Sequence, residues 1–189
     1  MLEEAQRSAN KLRPLACDTI VVLLLFSSAW PLSAHAQASQ STIRLFRLNG
    51  SFGSELPAKI TTQIDLENPG FTLTAASLDA DSIGFVTRLR SVLTVSNGDK
   101  RRITEIEWRL DIYDEALRSL SQSVLQSDKV NVYPGETARA SAKFGAVIPD
   151  RAIVLLQLSR VTFADGSLWS PATECSLAED LRTISCKSK

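Results

Sequence analysis

The sequence predicts an all-β fold, a two-layer antiparallel sandwich of about seven to eight strands with one short C-terminal helix. Three observations predict it. From Thr42 onward apolar residues recur with period two rather than 3.6. The residue types in those runs are the β-branched and aromatic ones that suit a pleated, half-buried surface. Turn-forming pairs recur every ten or so residues, a spacing that favours a sandwich over a closed barrel.

The strands follow in order. Ile60, Ile64 and Leu66 alternate with Lys59, Gln63 and Asp65, and Phe85, Leu89, Leu93 and Val95 are set inward from Arg88 and Arg90. Thr104–Tyr113 alternates most regularly. Ile106, Trp108, Leu110 and Ile112 form its core face, and Glu105, Glu107, Arg109, Asp111 and Tyr113 its wet one. Asn97-Gly98 and Asp165-Gly166 supply positive φ for two-residue hairpin loops. Strand 86–96 is therefore expected to pair with 103–113, and strand 152–163 with a short strand at 167–170. Tyr133-Pro134-Gly135-Glu136 marks a further turn into Thr137–Phe144, whose Ala138, Ala140 and Ala142 suit a close-packed face. Residues 68–84 and 114–129 fit either a strand or a helix, the latter because Leu117, Leu120 and Val124 also share a helical face.

The ends differ from the middle. Residues 1–36 have the parts of a secretory signal in order: basic Arg7, Lys11 and Arg13, the apolar run Ile20–Phe26, and small residues closing at Ala34-His35-Ala36. The apolar run is too short to span a bilayer, so no membrane span is expected after cleavage, and the protein is expected to be secreted or periplasmic. Residues 37–171 then form the β-domain and 172–189 a tail. At Ser176-Leu177-Ala178-Glu179 the capping-box spacing predicts a short helix to about Arg182. Cys175 and Cys186 lie in an oxidising compartment and are expected to pair, stapling that tail.

Composition bounds the chemistry. The whole chain has 21 basic and 21 acidic side chains and one histidine, His35. That histidine falls inside the expected cleavage site, which leaves the mature chain no imidazole for a general base, a nucleophile pair or a histidine-ligated zinc. No cofactor, metal or enzymatic activity is expected. Equal numbers of acidic and basic groups give no footprint for nucleic acid.

At Ile103–Ile112, at Tyr133-Pro134-Gly135-Glu136 and at Val161-x-Phe163-x-Asp165-Gly166-Ser167-x-Trp169, the chain resembles the small immunoglobulin-like sandwiches of uncharacterised secreted bacterial proteins. The resemblance spans roughly half of the residues after the signal and implies a fold. It implies no functional residue, because both cysteines lie after the last main strand and none joins two sheets.

Few side chains point to a site. A two-residue Asp165-Gly166 loop would place Thr162 opposite Trp169, turning the indole away from the Val161/Phe163 face and toward Arg160. There it either stacks on a ligand or is covered by Leu177, Leu181 and Ile184 of the tail, and cover is the favoured expectation. Trp169, Arg160 and Tyr113 are thus the candidate binding residues. Glu105 and Glu107, about 6.8 Å apart on one strand face, overlap the carboxylate separation of glycosidases. Neighbouring arginines on a solvated face argue instead for ordinary surface charge. Asp79-x-Asp81 lacks the glycine and later oxygen ligands of a calcium loop, and Asn49-Gly50-Ser51 is read as a turn rather than a glycan acceptor. The functional expectation is a non-catalytic protein-binding or scaffold role at the cell envelope, with a carbohydrate-binding module as the alternative. The partner is then an envelope protein or glycan.

Overall fold

The structure is a computed structural model, and it describes residues 42–62, 70–83, 86–149 and 151–189. The expected signal, its cleavage site, Gln63, Ile64, Asp65, Leu66 and Phe85 lie outside the described residues. Among the described residues there are twelve strands: β1 Ile43–Asn49, β2 Phe52–Leu56, β3 Lys59–Thr62, β4 Phe71–Ile83, β5 Val86–Asn97, β6 Ile103–Asp114, β7 Ser119–Val132, β8 Thr137–Ala146, β9 Arg151–Phe163, β10 Leu168–Trp169, β11 Thr173–Leu177 and β12 Thr183–Ser188.

The two-layer sandwich is not what forms. One antiparallel sheet runs in the order β7-β6-β9-β1-β2-β4-β5-β8 and curls until its edge strands β7 and β8 approach each other, giving a nearly closed eight-stranded barrel. The resemblance to immunoglobulin-like domains fails with it, since their main core lies between two sheets packed face to face and the main core here is surrounded by a single curled sheet. The physical reason is strand length. Five of the barrel strands are 12–14 residues long, and long strands accumulate enough twist and coil to close on themselves.

Pairing across the sheet also departs from expectation. Strand β5 pairs with β4 and β8 rather than with β6, and β6 pairs with β7 and β9. Asn97-Gly98 therefore starts a crossing, not a hairpin loop. The chain passes over the β7–β8 turn at one end of the barrel, and buried Asn97 fastens that crossing. Its Nδ2 donates to the carbonyls of Arg101 (2.8 Å) and Val132 (3.0 Å), and its backbone N–H donates to the carbonyl of Glu136. Gly98 is needed there for clearance, because a Cβ would sit 2.8 Å from the Gly70 carbonyl oxygen. Asn97→Ala strands both acceptors in a water-poor site and should lower stability by about 2 kcal/mol, checked by urea unfolding.

Inward side chains fill the lumen. Phe46, Phe71, Leu73, Leu89, Leu93, Ile106, Trp108, Leu110, Val154, Leu156 and Phe163 are all buried in one cluster, with Ala140 from β8. The Trp108 indole N–H donates to Ser91 Oγ at 2.9 Å, and that hydroxyl donates to Gln126 Oε1.

The tail holds no helix. Strands β11 and β12 form a hairpin, and β12 pairs in parallel with β3, giving a three-stranded sheet. Asp180 ends any helical start: its Oδ1 accepts the N–H groups of Arg182 and Thr183, and its Oδ2 accepts the Thr183 hydroxyl. These bonds hold its carboxyl down at about 2 and fix a tight loop. Cys175 and Cys186 stand opposite each other in the hairpin and are disulfide-bonded.

This small sheet packs on the outside of the barrel. Ile43, Leu45, Tyr113, Ile153 and Leu155 point outward from β1, β6 and β9 and meet Leu177, Leu181, Ile184 and the disulfide in a second core. The expected wet face of β6 is consequently dry at its C-terminal half, where Asp111 and Tyr113 are buried. Strand β9 is covered on both sides, so Ala152–Leu158 is buried without a break.

Candidate functional site

The residues expected to form a site are separated by the fold. Tyr113 lies in the second core, where its hydroxyl accepts the Leu177 N–H at 3.1 Å and burial raises its pKa. Arg160 is exposed and pairs with Glu107 at 2.9 Å. Trp169 is half-buried against the first core, edge-on to Phe71 with ring centroids 4.8 Å apart.

A single residue of register moves the indole. The Phe163 N–H bonds the Ser167 carbonyl and the Gly166 N–H bonds the Phe163 carbonyl, so the loop is the three residues Ala164, Asp165 and Gly166, with Gly166 at φ 82. Thr162 then faces Leu168, and Val161 faces Trp169. A shift of one residue exchanges the two faces of a strand, so Trp169 turns onto the core face while Leu168 turns out to solvent. The tail residues expected to cover it cover β1 and β9 instead.

Glu107 is tied to Arg160 at 2.9 Å, as expected of ordinary surface charge. Asp79 and Asp81 stand opposite Arg90 and Arg88 in the β4–β5 ladder. Among the described residues, no three His, Cys, Asp or Glu side chains come together where they would hold a metal ion. Asn49-Gly50-Ser51 is the β1–β2 turn, with Gly50 at φ 63. Near the Asn97 end, exposed Tyr133 lies beneath the Arg102 guanidinium, 5.5 Å from its ring centre, and Arg101 stacks 3.8 Å over Phe163.

Arg101 also makes the best-defined charge pair of that end. It donates from Nε and Nη2 to the two oxygens of Asp99, at 2.9 and 2.8 Å, holding that carboxyl down from 3.8 to about 2. A carboxyl held low in the folded chain stabilises fully above its ordinary range and loses that contribution as pH falls from about 4 toward 2. Acid unfolding monitored by tryptophan fluorescence should therefore shift to higher pH in Asp99→Asn, with no change at neutral pH in the ordering of the other strands.

Two features of the outer surface were not legible from residue types. The first is a groove of about 390 Å³ beside the second core, lined by Ile43, Leu45, Leu56, Ala58, Ile60 and Ile184, with Arg44 and Glu55 at its rim. It exists because β2 meets β4 through one register pair, Phe52↔Asp79, and Pro57-Ala58 then carry the chain away into β3. Arg44 bridges the resulting gap, donating to the Leu73 carbonyl and pairing with Glu55 at 3.1 Å. Its size lies within the range of ligand clefts.

The second is a polar bolt between tail and barrel. Buried Asp111 accepts from Ser123, from Gln157 at 3.0 Å and from Arg109 at 3.0 Å. Arg109 and Gln157 also donate to the Cys175 carbonyl, at 3.1 and 3.2 Å. The disulfide hairpin is thus fixed to the barrel at its own backbone. No protein-family model matches the chain, and no curated protein matches it.

Proposed function

We propose that the chain is an exported, non-catalytic binding protein that engages a protein partner of the cell envelope with the outside of its barrel. The observation that carries this reading is the filled lumen. Trp108, Phe46, Phe71 and Phe163 occupy the volume where small barrels that carry ligands leave a cavity. Binding then belongs to the outer surface, where a rigid, stapled sheet supplies the stiffness that lowers the ordering cost of association. The carbohydrate alternative asks for at least two coplanar exposed aromatics. Of the three candidates, Tyr133 is exposed, Trp169 is half-buried and Tyr113 is buried. Nothing in that arrangement favours it over a protein partner.

The test is capture of envelope proteins on the immobilised full chain, identification of any retained protein, and titration of the two purified proteins together. Saturable binding at fixed stoichiometry is the expected result. Retention on a glycan array without a protein partner, or turnover of a substrate, would replace this reading.

A further inference from the structure

The seam where the barrel fails to close is the most unusual part of its surface. Strands β7 and β8 are joined by a tight turn and run side by side, yet no register pair links them among the described residues. Near the turn the Asp128 side chain substitutes for a ladder, accepting the Ser141 N–H at 2.8 Å. Farther along the seam gapes. Every inward side chain of β6 from Ile106 to Ile112 is fully buried, whereas inward Gln122 and Val124 of β7 and Ala142 and Phe144 of β8 are only half-buried.

Three further observations converge on this open stretch. Leu117 (74% exposed), Leu120 (53%), Leu125 (57%) and Val147 (80%) all lie along it or at its mouth. Gln126, itself 93% buried on the inward face of β7, has an Nε2 with no hydrogen-bond partner. Ser119–Ser127 contains no charged residue, so the edge lacks the lysines and prolines that normally blunt an unpaired strand. Cations gather on the outer face of the other wall. Exposed Arg139 and Lys143 project from β8, and Lys143 stands directly opposite Arg90, a like-charge pair that is unfavourable in isolation. Arg90 has Asp79 opposite it on its other side, and Lys129 of β7 has Glu105.

We propose that this seam is a strand-addition site. It takes an extended segment of the partner protein, with apolar side chains at alternate positions facing the barrel and acidic ones facing out toward Lys143. The proposal rests on the protein-binding reading above and names its surface and the chemistry of its partner. Main-chain bonds to β7 and β8 supply affinity, and the alternation supplies register.

The test uses the full chain and an eight-residue peptide alternating valine and glutamate, with an alternating valine and lysine peptide as control. Fluorescence anisotropy should show saturable binding of the first and at least tenfold weaker binding of the second. Amide hydrogen exchange should show new protection at residues 119–127 and 142–146. Leu125→Asp, and separately Lys143→Glu, should weaken binding at least tenfold without lowering the unfolding midpoint, since both side chains are exposed and the second change relieves the Arg90–Lys143 repulsion. The proposal is overturned by no binding, by protection confined to other strands, or by sedimentation showing the seam already occupied by a second copy. A partner captured from the envelope whose affinity is indifferent to both substitutions would sink the seam while leaving the protein-binding reading intact.

Discussion

Trp108→Ala will lower the unfolding free energy by about 3–5 kcal/mol, the range for emptying a fully buried tryptophan site. The indole lies mid-strand on β6 at 0% exposure, among the largest buried side chains of the barrel. Removing it leaves a void that packed neighbours on three other strands can only partly fill. It also strips Ser91 of its donor, since Trp108 Nε1 bonds Ser91 Oγ at 2.9 Å. The control is Trp108→Phe, which retains most of the volume and removes the N–H. Urea unfolding should show a smaller loss for Phe than for Ala, with the slope m unchanged in both. Equal losses would mean that the hydrogen bond, not the volume, supplies the stability.

Replacing both cysteines by serine, or reducing the Cys175–Cys186 bond, should cost about 3 kcal/mol in the chain-entropy model. The bond closes a loop with a sequence separation of 11. Its loss also has a second consequence that the chain-entropy term omits. Leu177, Leu181 and Ile184 are the lid over Ile43, Leu45, Ile153 and Leu155, and a frayed hairpin leaves that outward face wet. Reduced protein should bind a hydrophobic dye and be cut by protease in residues 172–189 before the barrel unfolds. If reduction leaves midpoint, dye binding and protease resistance unchanged, the bolt of Arg109, Asp111 and Gln157 holds the hairpin without the disulfide.

Local chemistry was well written in the sequence. Alternation placed Ile106, Trp108, Leu110 and Ile112 inward, and Ala140 on the close-packed face, because the side-chain period of a strand is a property of the backbone. The Cys175–Cys186 bond expected from the cysteine count is present. The facing of individual side chains departs from the pattern at two places. Trp169 lies on the opposite face from the one a two-residue loop implies, because loop length fixes register and Asp165-Gly166 accommodates both a two- and a three-residue loop. Asp111 and Tyr113 lie on the face that alternation marks as wet, and they are dry because their cover arrives from β11 and β12, about sixty positions on; no local pattern encodes a distant lid.

Sandwich and barrel share some hairpins, such as β9–β10, but not the one expected at Asn97-Gly98. They differ in which strands meet across long stretches of chain, and the clue lay in Ala152-Ile153-Val154-Leu155-Leu156-Gln157-Leu158. That run does not alternate, so it marks a strand buried on both faces. The seam was invisible for the opposite reason. Leu117, Leu120 and Val124 match a helical stripe, and only the structure reveals them beside an unpaired edge.

Strand β9 also sets the order in which the chain acquires its shape. It is inserted between β6 and β1, and β1 has β2 as its other neighbour. Until the C-terminal third of the chain is available, the first strand lacks its main partner and the earlier hairpins have nothing to wrap around. Contacts of such long separation form late and slowly. A chain synthesised N-terminus first thus remains an open string of hairpins for most of its synthesis. It closes only once the last main strand has emerged, which makes completion of synthesis and completion of folding nearly the same event.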